Sequence, residues 1–179
     1  AYKWLIANAR DLGVDASRIA VVGESAGGNL AASIVIKARD EGFQLPVHQV
    51  LVYPIAGHDF TTESYREMTA AKPLNTDMMR WFYDNYLNSA ADAQTSMISL
   101  YKADLSGLPA ATIINAELDP LRSDGELLAK RFKESGVDAT QRTFAGVTHE
   151  FFGMAPVVGK AKEAQRMAAD ALTTAFGSA

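Results

Sequence analysis

At 179 residues the chain is long enough to bury the core of one domain, and its 48% hydrophobic and 21% charged content is ordinary for a globular fold. A net charge of −4 argues against nucleic acid as the main partner, because phosphate binding wants a basic face. The absence of cysteine excludes structural disulfides, thiolate metal sites and a cysteine nucleophile, and no apolar run is long enough to span a membrane.

The sequence opens AYKWLIANARDLGV. Leu5, Ile6, Ala9 and Leu12 recur at helical spacing, no capping Ser, Thr, Asp or Asn precedes them, and Gly13 follows. This reads as an amphipathic helix entered part-way, so residues upstream, and any targeting segment with them, are expected to exist. DASRIAVVG then supplies a turn and a short β-branched run over residues 19–22, which predicts a buried strand. Residues 26–41 lack Pro, are rich in Ala and predict a helix ending near Gly42. HQVLVYP predicts a second buried strand, broken by Pro54.

Residues 55–76 show polar clusters and no clear period, so they read as an irregular excursion. TDMMRWFYDNYLN predicts an aromatic helix with Thr76 as N-cap. LPAATIINA is a strand, SDGELLAKRFKESGV a helix ended by Gly136, DATQRTFAG a strand, and GKAKEAQRMAADALTTAFG a last amphipathic helix. Alternation of this kind implies an α/β fold, a parallel sheet covered by helices on both faces through right-handed crossovers. In such sheets sites form beyond the carboxyl ends of the strands, so functional residues should lie just after strands.

Three segments meet that condition. Ser25 follows the first strand inside G-E-S-A-G. A G-x-S-x-G turn from strand to helix strains the serine backbone and lifts its hydroxyl to a helix N-terminus, where the dipole and the Ala26 N–H favour a developing oxyanion. Glycines two residues before and after, Gly23 and Gly27, would let strand and helix approach closely. The plainer alternative is a glycine-rich turn with a capping serine. Asp119 follows the third strand in NAELDPLRSDGELL and suits the carboxylate that orients an imidazole. Glu117 and Asp124 compete with it, but Asp124 lies at a helix start, where an acid suits the dipole or braces the loop. His149 follows the last strand in FAGVTHEFFG, where a general base would sit. His48 precedes its strand and reads as structural; His58 lies in the excursion, where it faces the pocket at most. The chain order Ser, Asp, His is that of the α/β-hydrolase fold.

GESAGGNLAA, DPLRSDGELLAKRFKESGV and GVTHEFFG each resemble the blocks around the nucleophile, acid and histidine of the bacterial hormone-sensitive-lipase-like esterases, an α/β-hydrolase family. The chain looks like the C-terminal part of that family, and the likeness runs over essentially its whole length. The family more often has Asp where this chain has Glu24 and often Gly where it has Glu150. Carried across motif by motif, the resemblance implies Ser25 as nucleophile, Asp119 as acid and His149 as base; from these residues the oxyanion donor would be Ala26, at the helix N-terminus, with Gly27 the one other candidate. It implies hydrolysis of short- to medium-chain carboxylic esters without cofactor or metal.

The family's oxyanion hole also uses an upstream H-G-G-G loop, and no such run occurs in these residues. Residues 1–179 therefore read as a partial catalytic domain, with 55–90 a cap-like or pocket-lining excursion. A missing N-terminal segment of the same protein is the expected partner, because the strand holding Val22 would otherwise leave an apolar edge exposed. Met78, Trp81, Phe82 and Tyr86 are candidates to line an acyl pocket, against ordinary core packing of the same helix. The family often pairs through its C-terminal strand and helix, which makes a homodimer an expected assembly; the expected compartment is the cytoplasm. Two other readings share the fold: a serine peptidase of the prolyl-oligopeptidase type, and a ligand-binding protein related to the hydrolase-fold hormone receptors, which commonly lose the histidine.

Overall fold

The computed structural model describes residues 1–177. Four parallel strands form one sheet in which spatial order follows chain order: β1 (Val21–Glu24), β2 (Gln49–Val52), β3 (Ala111–Leu118) and β4 (Ala139–Thr148). Every connection carries helix, as parallel pairing requires. α2 (Ala26–Asp40) joins β1 to β2, α3 (Glu63–Glu67) and α4 (Thr76–Tyr86) lie between β2 and β3, and α5 (Arg122–Glu134) joins β3 to β4. α1 (Tyr2–Asn8) precedes the sheet and α6 (Gly159–Phe176) follows it.

Alternation of side chains along a strand sorts the apolar runs into two cores. Leu51 and Ile113 pack with Ala32, Val35 and Ile36 of α2 and with Leu128 and Phe132 of α5. Their neighbours Val50, Val52 and Ile114 point the other way, against Phe144 and Ala161, Ala164 and Ala168 of α6. Alanine on α6 lets the helix approach the sheet closely. β2 is buried on both faces throughout, which is why its sequence shows no polar alternation. This is the α/β-hydrolase arrangement of strands with helices on both faces.

The first strand departs from its expected burial. β1 alternates between half-buried and exposed residues, and Val22 is 52% exposed. It is an edge strand that pairs with β2 alone among the described residues; Val21 packs against the α2 side of the core, while Val22 and Glu24 point to the opposite face and are exposed. Other differences are local. α1 ends at Asn8 and buries none of its own residues, while the turns beyond it stop at Gly13 with φ +66°. Asn75, not Thr76, caps α4, its side chain accepting the Met78 N–H at 2.9 Å; Thr76 instead donates its hydroxyl to the Tyr65 carbonyl. The excursion contains α3, and its Tyr65, Leu74, Met79 and Tyr83 form a small core with Leu121, which precedes α5. Among the described residues no helix is long and apolar enough to cross a membrane.

Candidate functional site

Ser25, Asp119 and His149 come from loops after three different strands and meet at the carboxyl end of the sheet. Ser25 takes φ 56° and ψ −120°, a strained conformation for a side-chain-bearing residue, where β1 turns into α2. The surrounding backbone holds that strain. The Ser25 N–H donates to the Val52 carbonyl at 2.9 Å, and its own carbonyl accepts from Gly28, Asn29 and Ile55. The Ala26 and Gly27 N–H groups, in the first turn of α2, have no backbone acceptor among the described residues and are free to bind an anionic oxygen.

Of the two glycines expected at the close approach in this turn, Gly23 is one, but the other is not Gly27. A Cβ on Gly23 would lie 2.0 Å from the Gly27 carbonyl oxygen, and one on Gly28 would lie 2.8 Å from the Pro54 Cβ. Gly27 has open space where a Cβ would go. The second steric requirement thus belongs to Gly28.

Asp119 is fully buried. One carboxylate oxygen accepts the Leu121 N–H at 2.9 Å, and the other lies 2.7 Å from His149 Nδ1. His149 is 5% exposed, and its Nε2 lies 3.1 Å from the Ser25 hydroxyl. The imidazole thus bridges carboxylate and hydroxyl, one ring nitrogen to each. The register of β3 against β4 breaks between Ala116 and Leu118, a bulge of the kind that re-aims a strand end. Glu117 sits in that break and accepts the Gly146 N–H at 2.6 Å, so this competing acid braces β4. The acid loop is also clamped from the excursion: Ser64 and Ser123 exchange backbone-to-hydroxyl hydrogen bonds at 3.1 Å, and Ser64 Oγ donates to the Pro120 carbonyl at 2.6 Å.

Asp124, the other competing acid, is fully buried and does not touch His149. Its Oδ2 accepts the N–H groups of Ala56 and Gly57 at 2.9 and 3.2 Å, while Oδ1 has no partner. Burial without a cation raises its pKa to about 8, against the two backbone donors, which lower it. It ties the start of the excursion to α5, the loop-bracing role. His48 lies at the opposite end of β2, buried and 2.9 Å from Thr112 Oγ1, with burial lowering its pKa. His58 packs edge-on against Phe60 and Tyr83, with ring centroids 5.0 and 4.6 Å away, and is not part of the pocket lining.

A cavity of about 530 Å³ opens over Ser25 and His149. Its wall is largely apolar, built from Leu30 of α2, Ile55 and Leu74 of the excursion, and α4. Met78, Phe82 and Tyr86 line it, but Trp81 does not: it is 61% exposed and packs edge-on with Phe82 at 5.3 Å. Met79 and Tyr83 line it as well, although they are also core residues of the excursion. The pocket wall and the helix core therefore share Met79 and Tyr83, at i, i+4 spacing, while Met78, Phe82 and Tyr86 form a neighbouring stripe that faces the cavity alone. Asn29, which the sequence did not single out, donates from α2 to the Ile55 and Ile98 carbonyls at 3.1 and 3.3 Å and holds the floor of the cavity.

Known proteins bear on this geometry. A family model described as alpha/beta hydrolase fold matches residues 1–153. The chain is 38% identical over 168 residues to carboxylesterase NlhH of Mycobacterium tuberculosis, covering 92% of this chain and 53% of that protein. It is 32% identical over 174 residues to ethyl acetate hydrolase of Pseudomonas putida, covering 96% of this chain and 55% of that protein. Among solved structures it superposes with a TM-score of 0.94 and 41% identity on EstE1, a thermostable carboxylesterase cloned from a metagenomic library, over 98% of this chain and 61% of that one. The chain spans about half the length of the curated relatives it matches. It belongs to the alpha/beta hydrolase fold family, among the esterases of the hormone-sensitive-lipase-like type.

Proposed function

We propose that this chain carries the reacting groups of a carboxylic ester hydrolase acting on short- to medium-chain acyl esters. The observation that carries the reading is the relay itself, Asp119 Oδ2 to His149 Nδ1 at 2.7 Å and His149 Nε2 to Ser25 Oγ at 3.1 Å, opening onto an apolar cavity. His149 removes the Ser25 proton as Oγ attacks the acyl carbonyl. Asp119 keeps the proton on Nδ1, so that Nε2 is the basic nitrogen, and stabilises the imidazolium that forms. The oxyanion develops toward the Ala26 and Gly27 N–H groups at the positive end of α2. Collapse of the tetrahedral intermediate releases the alcohol, protonated by His149, and leaves an acyl ester on Ser25. Water activated by the same histidine then releases the acid.

An oxyanion hole worked from this chain alone holds only part of the usual donor set, and one missing donor costs roughly 10²–10³ in rate. The resemblance puts the other donors in an H-G-G-G segment outside these residues, and the N-terminal segment that would supply it is the partner this reading requires. The apolar lining supports neutral acyl groups, and the esterase names of the relatives support ester over amide substrates. The test uses the intact protein that carries this chain. A fluorophosphonate probe is expected to label it, Ser25→Ala to abolish labelling, and p-nitrophenyl butyrate to be hydrolysed while peptide amides are not. Absence of labelling at Ser25 refutes the mechanism, and cleavage of peptide amides in place of esters assigns the site to a peptidase.

A further inference from the structure

We propose that Tyr53 is a positioning residue that holds the His149 ring in plane and couples it to the turn bearing Ser25. The inference rests on the reading of Ser25 and His149 given above.

Tyr53 follows the last residue of β2 and precedes Pro54. Its φ is +32°, in the left-handed region that an aromatic L-residue rarely adopts. A following proline further restricts the residue before it, so the conformation is strained and its surroundings must offset the cost. They do so through the Tyr53 N–H, which donates to the Ile114 carbonyl at 2.6 Å, and through Val52 and Ile55, which both hydrogen-bond to the Ser25 backbone. The strained residue is thereby locked to the strained serine.

The strain places a fully buried phenol against the His149 ring and within reach of Glu24, the residue before Ser25. Its ring centroid lies 4.5 Å from that of His149, tilted by 50°, with Phe151 behind it at 6.0 Å. Its hydroxyl donates to Glu24 Oε2 at 2.5 Å, and Glu24 is the residue immediately before Ser25. The imidazole is otherwise anchored at Nδ1 by Asp119 and at Nε2 by Ser25. Those two contacts and the Cβ–Cγ bond limit rotation of the ring about χ1 and χ2, and an aromatic wall against it limits that rotation further. The wall also favours the charged ring, because the π face attracts an imidazolium. Burial and the Glu24 carboxylate push the Tyr53 hydroxyl far above its ordinary titration range, so it remains a neutral donor at working pH.

The experiment is done on the intact protein that carries this chain, with three readouts: fluorophosphonate labelling rate, kcat and KM for p-nitrophenyl butyrate, and the low-field Nδ1 proton resonance of His149. Tyr53→Leu removes the wall and is expected to lower kcat by roughly 30–100-fold with KM within about twofold. Tyr53→Phe keeps the ring and loses the anchor, for about a 5–10-fold loss. Glu24→Ala should match Tyr53→Phe, the double variant should be no worse than either single one, and Glu24→Gln, which keeps an acceptor oxygen, should recover most of the loss. The Nδ1 resonance should broaden in Tyr53→Leu. Glu24 is exposed, so its variants keep the test open even where the tyrosine variants fold poorly. The proposal is overturned if kcat stays within twofold across the series, if the loss falls on KM or on thermal stability alone, or if the two single effects add. An unlabelled wild-type protein refutes the esterase reading instead; in that case retention of a sharp Nδ1 resonance in Tyr53→Leu overturns the positioning role, and its loss supports it.

Discussion

The turn holding Ser25 makes an unusually specific demand on sequence, and substituting its glycines one at a time tests it. A Cβ at Gly23 would stand 2.0 Å from the Gly27 carbonyl oxygen, 2.3 Å from its carbon and 2.8 Å from the Gly28 nitrogen. All three are backbone atoms, so no rotamer relieves the overlap, and the Gly27 carbonyl must draw back by at least about 1.4 Å to reach ordinary contact. Overpacking that side chains can absorb costs roughly 1–3 kcal/mol. Here the main chain itself must move, so Gly23→Ala is expected to lose more than about 3 kcal/mol. The same movement would carry Ser25 Oγ away from its 3.1 Å contact with His149, and a misplacement of about 1 Å lowers rate by roughly 10². Gly28→Ala meets the Pro54 Cβ at 2.8 Å and should be milder, because that contact involves a single side chain. Gly27→Ala meets nothing within 4 Å and should be neutral, or stabilising by up to about 1 kcal/mol as glycine is removed from a helix. Urea denaturation followed by circular dichroism gives the order, and probe labelling of Ser25 gives the rate. A loss below about 1 kcal/mol at Gly23 refutes the steric reasoning. A loss at Gly27 equal to that at Gly23 shows that the demand comes from contacts outside this chain.

Asp119→Asn should preserve the fold but favour the wrong imidazole tautomer, lowering kcat for p-nitrophenyl butyrate by about 10³–10⁴; a loss below tenfold would remove Asp119 from the relay. Asp124 is a pH test. Its folded pKa of about 8 stands above that of an unfolded aspartate, near 4, so the folded state binds the extra proton between those values. Its stabilising contribution is therefore full below about pH 4, falls by at most about 1.4 kcal/mol per unit as pH rises, and is lost by about pH 8. Asp124→Asn should flatten that slope, whereas Asp124→Ala orphans the Ala56 and Gly57 N–H groups and should cost about 2–4 kcal/mol. A pH-independent difference between wild type and Asp124→Asn over about pH 5–8 contradicts the assignment. Glu150 holds φ +71° beside His149, with Oε1 3.7 Å from Nε2. Glu150→Gly should be neutral or stabilising by up to about 1 kcal/mol in thermal melts, since glycine takes that conformation freely, and a clear destabilisation would mean that the glutamate side chain contributes more than its backbone costs.

What was legible in the sequence was whatever local pattern determines. The apolar runs of β2 and β3 announce strands buried on both faces, and the alternation of strand and helix announces a parallel sheet. Once the sheet is known, the rule that sites lie beyond strand ends narrows the polar residues to a short set that holds Ser25, Asp119 and His149 alongside Glu117, Asp124 and His58. The rest depends on partners far apart in sequence. Asp124 sits at a helix start, which suggests a dipole or capping role, yet its hydrogen bonds go to Ala56 and Gly57, 68 and 67 residues away. β1 reads as buried because burial depends on what lies beside a strand, and a run of apolar residues carries no record of its neighbour. Tyr53 is the clearest case. In LVYP it looks like the last core residue of a strand, and a positive φ at a residue other than glycine leaves no mark in sequence. Only the fold brings its ring against His149 and its hydroxyl against Glu24. Glu24 itself passes for an ordinary exposed acid until that bond is seen.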